Sequence, residues 1–206
     1  KFIDLYQIHR WDYETPIKET LIALDQLVKD KKVGHIGGSN MWTWQLAKSL
    51  WICNDLDLER FETIQTHYNL CYREEEREMI PFCEDQNISI LSYNPVAKGF
   101  LSGKYNRNTK NESIRFKTDP GLAAKFFKPE DFDVLDMVIQ IANEKDVKPA
   151  QIAIAWLLTK TITSPIIGVT KKSHVEEAVD ALDIKLTNDD IKRLEEPYQV
   201  HSIHHL

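Results

Sequence analysis

The residue best placed to do chemistry is His9. It follows Ile3, Leu5 and Gln7 on one face of a period-two run over Phe2–His9, so it falls at the C-terminal end of a strand. An imidazole there can orient or protonate a substrate carbonyl; a hydrogen-bonded strand-end histidine without chemistry is the competing reading. Ser39-Asn40 follows Gly37-Gly38 at the end of a second apolar run, and Gln65 ends a third. Hydroxyls and amides both donate and accept, which suits a neutral, amide-bearing ligand. Asn and Ser also form turns, so that pair has a structural alternative, whereas Gln65 is a poor turn residue. Tyr93 closes the most apolar run and could stack on a flat ring or pack the core. Lys98, Gly99, Gly103 and Lys104 offer close backbone approach and positive charge for phosphates, although a solvated loop has similar composition. Gly168–Lys172, followed by Ser173 at an expected helix start, is a second candidate anion site, where free N–H groups and the helix dipole attract phosphate. Capping by Ser173 is compatible with that role.

Other signals are weaker. His201, His204 and His205 lie in an unpatterned tail with no carboxylate or thiol at fixed spacing, so no metal site is expected. Cys53, Cys71 and Cys83 form no CxxC pair and read as free thiols of a reducing compartment. The aromatic cluster Trp42–Trp51 is expected to pack a helix against the core.

These residues need elements to position them. Strands are expected over Phe2–His9, Val33–Gly38, Phe61–Gln65, Ile88–Tyr93 and Ser164–Val169. Thr15 offers an N-cap before Pro16 for a first helix; further helices are expected over Trp42–Cys53, from Glu74 to about Glu84, Glu130–Lys145, Ala150–Leu158 and Ser173 to Leu182. Thr187 and Asp190 read as a capping box for a last helix, and Pro95–Pro129 as a long connection. The first four strand starts recur at the spacing of βαβ units. Either an open doubly wound sheet or part of an eight-stranded barrel would accommodate them. No Gly-rich dinucleotide turn follows a strand, and every strand ends in polar or small residues, where a βα barrel gathers its active site. The expectation is therefore α/β: the last five units of a (β/α)8 TIM barrel.

The chain has 206 residues, enough to bury a sizeable core, and its net charge of −6 is spread without a basic block, which argues against a nucleic-acid partner. Its apolar runs are too short to cross a membrane. It begins with Lys1 inside an apolar run, giving the expectation of a C-terminal portion of a longer gene product.

Taken together, Asp4-Leu5-Tyr6-Gln7-Ile8-His9, Ile36-Gly37-Gly38-Ser39-Asn40, Gln65-Thr66-His67-Tyr68-Asn69 and Ser92-Tyr93-Asn94-Pro95 resemble the aldo-keto reductases. Gly99-Phe100-Leu101-Ser102-Gly103-Lys104-Tyr105, Ala153-Ile154-Ala155-Trp156-Leu157 and Pro165-Ile166-Ile167-Gly168 extend the resemblance, towards the aryl-alcohol dehydrogenase-like and potassium-channel beta-subunit-like branch. It implies a cytoplasmic (β/α)8 barrel that reduces a small-molecule carbonyl substrate with NADPH, this chain supplying strands four to eight of one domain over 1–206. His9 then matches the catalytic histidine; Ser39, Asn40 and Gln65 match the residues that hold the nicotinamide carboxamide, and Tyr93 the ring that stacks on nicotinamide. Asn94, Pro95, Val96 and Lys104 fall on the pyrophosphate loop, with Arg115 as a basic residue beyond it. Gly168, Thr170, His174 and Glu177 fall on the segment that holds the adenosine phosphate and adenine. The family commonly has valine at Gly38, serine at Asn94, arginine or glutamine at His174 and asparagine at Ala178; the last change weakens adenine contact, and His174 leaves NADH open as a cofactor. The resemblance places the family's aspartate, tyrosine and lysine on strands before Lys1, so the chain is expected to carry one of four catalytic residues. A non-catalytic nucleotide-binding or regulatory subunit, or an inactive fragment, is the alternative. Oligomeric state is not legible.

Overall fold

Alternating apolar and polar residues make β1 (Ile3–Gln7), β2 (Val33–Ser39), β3 (Thr63–His67), β4 (Ser89–Tyr93) and the short β5 (Ser164–Ile166) in a computed structural model that describes residues 1–107 and 128–202. The strands lie in one sheet in chain order, β1-β2-β3-β4-β5, with helical crossovers between them. A doubly wound sheet would reverse its strand order at a switch point, whereas unbroken sequential order is that of consecutive units of a (β/α)8 barrel. The fold is α/β and corresponds to five such units.

Contacts within the chain gather into two compact units: Lys1–His67 with Glu75–Leu91, and Tyr68–Glu74 with Ser92–His204. In the first, β1 pairs parallel with β2 from Ile3↔Val33 to Gln7↔Gly37, and β2 with β3 from Gly37↔Thr63 to Ser39↔Gln65. Gly37 makes this pairing possible, because a Cβ there would lie 2.0 Å from Thr63 Oγ1. The buried Met41 side chain occupies the space that a larger residue at Gly38 would fill. Helix α1 (Ile17–Lys29) buries Ile17, Leu21 and Leu24, spaced for one helical face. Its N-cap is Pro16 rather than Thr15, whose hydroxyl is engaged by the Asp12 carboxylate. Helix α2 (Thr43–Leu56) buries Gln45, Leu46, Ser49 and Cys53. Trp44 and Trp51, one heptad apart on the other face, are 57% and 66% exposed, so the aromatic cluster does not pack the core as expected. The acidic stretch from Glu74 breaks into a 3-10 turn, Glu74–Glu76, and helix α3 (Met79–Gln86).

The second unit is built around α5 (Pro149–Leu157), in which every residue from Gln151 to Leu157 is buried. It contacts α4 (Pro129–Glu144), α6 (Lys172–Asp180) and a 3-10 turn at Ala97–Ser102. Helix α7 (Asn188–Glu195) starts with the expected box: Thr187 Oγ1 accepts from Asp190 N at 3.1 Å, and Thr187 N donates to Asp190 Oδ2 at 2.8 Å. Helix α6 is capped by Lys171, which puts Ser173 inside the first turn and not at the cap. β5 ends at Ile166 and leaves Gly168 and Val169 in an exposed connection. Residues 198–201 are held by side-chain bonds: Tyr198 Oη donates to Glu74 Oε1 at 2.6 Å, and buried His201 meets Asp131 at 2.8 Å. His204 and His205 lie outside the described residues, and among those described no His, Cys, Asp and Glu cluster could hold a metal. All three cysteines are free and buried. Among the described residues no helix is long and apolar enough to cross a membrane.

Candidate functional site

In the first unit, parallel register brings four of the expected residues to one end of β1–β3. Ser39 Oγ donates to the Gln65 backbone oxygen at 2.9 Å and accepts from Asn40 Nδ2 at 2.9 Å. The same Nδ2 reaches the His9 backbone oxygen at 3.0 Å. Asn40 adopts φ +47°, a left-handed conformation that Asn tolerates because its short side chain bonds locally. Behind the cluster, Gln7 Nε2 donates to Thr63 Oγ1 at 3.0 Å. Ser39 is buried, Asn40 and Gln65 are half-buried and the His9 side chain is exposed. The Asn40 amide and Ser39 hydroxyl are fixed by bonds to each other and to the His9 and Gln65 carbonyls. Such a surface can orient a neutral amide or carbonyl group.

In the second unit, a cavity of about 550 Å³ is lined by the turn from Asn94 to Lys104, the start of α5 and the segment Ile167–Ala178. Asn94, Pro95, Val96, Lys104, Gly168, Thr170, His174 and Glu177 all line it, so residues expected from two distant stretches converge. Tyr93 is the half-buried last residue of β4, directly before Asn94, and is not one of the lining residues. Arg115 lies outside the described residues.

The turn has an identifiable scaffold. Asn94, at φ +64°, accepts the Ala97 N–H on its backbone oxygen at 2.9 Å, while its side-chain oxygen accepts the Lys98 N–H. Ala97, Lys98 and Gly99 follow at φ +48°, +56° and +92°, which folds the backbone sharply at the cavity edge. Gly103 has φ +78°, and a Cβ on it would lie 2.9 Å from Pro149 Cγ; only glycine lets the turn approach α5 this closely. At the start of α5, Gln151 Oε1 accepts the Lys148 N–H at 2.9 Å and its Nε2 donates to the Glu177 backbone oxygen at 3.1 Å. Lys148 Nζ pairs with the Glu177 carboxylate.

Lys148 and Gln151 were not expected at the site. Their Lys-Pro-x-Gln pattern announces a helix start in the sequence, but not that this start faces a ligand cavity. Among the described residues, Lys98, Lys104, Lys148 and Lys171 line the cavity together with the carboxylate of Glu177. The N-terminus of α6 at Lys172 adds a favourable dipole. A ligand carrying several phosphate charges fits this surplus, and the volume lies within the range of small-molecule sites, roughly 300–1,000 Å³. Ala178, where the resemblance has asparagine, also lines the cavity.

Residues 1–199 match the family model described as the aldo/keto reductase family. Versiconal hemiacetal acetate reductase of Aspergillus parasiticus is 38% identical over 208 residues, covering 98% of this chain and 59% of that protein. A putative aryl-alcohol dehydrogenase of Saccharomyces cerevisiae is 38% identical over 201 residues, covering 96% of this chain and 57% of the relative. An aldo-keto reductase of Alternaria alternata is 35% identical, with 96% of this chain and 53% of its own length covered. The chain thus spans between 53% and 59% of the length of these three relatives. The match over nearly the whole chain, on a fold of five sequential βα units, establishes that the chain belongs to the aldo/keto reductase family.

Proposed function

We propose that this chain is the cofactor-holding part of an NADPH-dependent reductase of aldehydes and ketones. The observation that carries the proposal is the lysine-lined cavity of the second unit, into which the positions assigned to pyrophosphate, adenosine phosphate and adenine converge. In this reading Lys98 and Lys104 neutralise the pyrophosphate, while Lys171, Thr170 and His174 meet the adenosine phosphate. Glu177, held by Lys148 and Gln151, faces the adenine. Family membership supports the roles at the strand ends of the first unit: Ser39, Asn40 and Gln65 hold a carboxamide, Tyr93 offers a ring to stack on nicotinamide, and His9 orients the substrate carbonyl. When bound, a reduced nicotinamide supplies the hydride. Within 1–206 only His9 is assigned to the substrate, so the chain by itself is proposed to bind cofactor without appreciable turnover.

The experiment is a fluorescence titration of the chain with NADPH and with NADH, followed by a carbonyl-reduction assay of the same sample. Saturable quenching by NADPH with little turnover supports the reading; weaker NADH binding supports a phosphate-reading role for Lys171 and His174. Absence of saturable quenching overturns the cavity assignment, and robust turnover overturns the restriction of catalytic groups to His9. The kinship with a versiconal hemiacetal acetate reductase and a putative aryl-alcohol dehydrogenase suggests hemiacetal acetates and aryl alcohols as related substrate chemistries to include in the assay.

A further inference from the structure

We propose that Tyr198 and Glu74 are positioning residues for the cofactor cavity, acting on Asn94 through the turn Asn69–Arg73. Asn94 opens the cavity wall, and its backbone oxygen accepts the Asn69 side-chain amide at 3.0 Å. Asn69 is itself fixed: it exchanges two backbone bonds with Tyr72, at 3.1 and 2.9 Å, and its Oδ1 accepts the Cys71 N–H at 2.9 Å. Every residue from Tyr68 to Tyr72 is buried to 1% exposure or less, so this turn has little room to move independently.

The far end of the turn is gripped by the chain's C-terminal segment. Tyr198 Oη donates to Glu74 Oε1 at 2.6 Å and accepts the Arg73 N–H at 3.2 Å, while the His201 N–H donates to the same Glu74 oxygen at 3.0 Å. Arg73 lies over the Tyr198 ring at 5.1 Å and the Trp156 ring at 5.7 Å, and pairs with Glu195 at 3.3 Å. Burial, and then the bond to Glu74, raise the Tyr198 phenol above its usual range, so it remains a donor at neutral pH. A continuous set of hydrogen bonds therefore runs from the C-terminal segment to the loop assigned to the pyrophosphate. Half-buried bonds anchored on the buried turn transmit position, because the cost of leaving a donor sheltered from water unpaired resists independent movement of its parts.

The affinity consequence rests on the cofactor reading of the cavity; the consequence for loop order does not. The test uses the full chain with Tyr198→Phe, Glu74→Ala, their double variant, and Arg193→Ala as a control. The control breaks the Arg193–Glu144 ion pair in the same unit without touching the turn. NADPH affinity is measured well below the melting temperature, alongside hydrogen exchange of the Ala97 and Lys98 amides, both of which bond to Asn94. The positioning role predicts that Tyr198→Phe and Glu74→Ala each raise the NADPH Kd about 3- to 10-fold and speed that exchange, that the double variant adds little, and that the control changes neither. Loss of thermal stability with affinity and exchange at wild-type values overturns it, as does full additivity of the two variants. If wild-type protein binds no NADPH, the cavity reading has failed, and exchange at Ala97 and Lys98 decides the positioning role by itself: faster in the variants supports it, unchanged refutes it.

Discussion

At the strand ends of the first unit, the Ser39 and Asn40 side chains bond to each other and to the backbone of neighbouring strand ends: Asn40 reaches the His9 carbonyl, and Ser39 the Gln65 carbonyl. In the second unit, charged groups instead surround an open volume, and Lys148 and Glu177 of its lining are joined by an ion pair. The first arrangement follows from strand register and can present a fixed neutral surface. The second follows from the meeting of three segments far apart in the chain and presents more lysines than carboxylates among its described lining residues. The two regions should therefore fail in different ways, one through packing and the other through charge.

The largest expected effect concerns the thiols, which report on the interior of each unit separately. Burial pushes Cys53 up to about 11 and Cys83 to about 12 in the first unit, and Cys71 well above the ordinary thiol range in the second. Alkylation of the folded chain near pH 8 should be at least about a hundredfold slower than for a free thiol at all three positions, and normal in denaturant. Peptide mapping after timed alkylation would show which unit opens first; free-thiol rates at any of the three in native buffer would contradict the packing described.

Next in size is Gly37→Ala. The added Cβ meets Thr63 Oγ1 at 2.0 Å and the Thr63 backbone oxygen at 3.0 Å, and the latter cannot swing aside. A loss of about 1–3 kcal/mol in urea denaturation is expected from overpacking at this point. A change near zero would mean that β2 and β3 are less closely paired than they appear. The smallest effect is on the acid side of the second unit. Bonds from Arg193, then from Gln140, hold the Glu144 carboxyl at about 2 instead of its ordinary 4.5. Its folded value is depressed, so its contribution is complete above about pH 4.5 and disappears as pH falls towards about 2. Because the pair is exposed, the effect is small: Arg193→Ala should slightly lower the melting temperature at pH 7, and the difference from wild type should disappear as pH falls towards about 2.

Much of this architecture could be read from the sequence, because period-two alternation and the recurrence of strands are local signals. Ser39 and Tyr93 end their strands as expected, whereas β1 stops at Gln7, short of His9, and β3 runs past Gln65 to His67; parallel register and the Asn40 amide together still bring His9, Ser39, Asn40 and Gln65 to one place. Local signals misled where a second partner competed. Thr15 looked like a cap, but Asp12 takes its hydroxyl; Ser173 looked like one too, but the helix starts before it. Trp44 and Trp51 looked like core by composition, yet the buried stripe of α2 runs through Gln45 and Ser49, whose polar atoms are satisfied within the fold. The roles of Lys148, Gln151 and Tyr198 were not legible, since each depends on a partner between 26 and 124 positions away. Only tertiary contact reveals such pairs.

In the proposed function, the second unit's cavity holds a phosphate-rich dinucleotide through its lysines. Calorimetric titration of the chain with NADPH and with adenosine 2′,5′-bisphosphate, in wild type and in Lys98→Glu/Lys171→Glu, tests it directly. Both ligands should bind wild-type protein, more weakly as salt rises, and each charge reversal should cost about tenfold in affinity. Binding that is indifferent to both reversals and to salt, or no binding of either ligand to a folded chain, would contradict it.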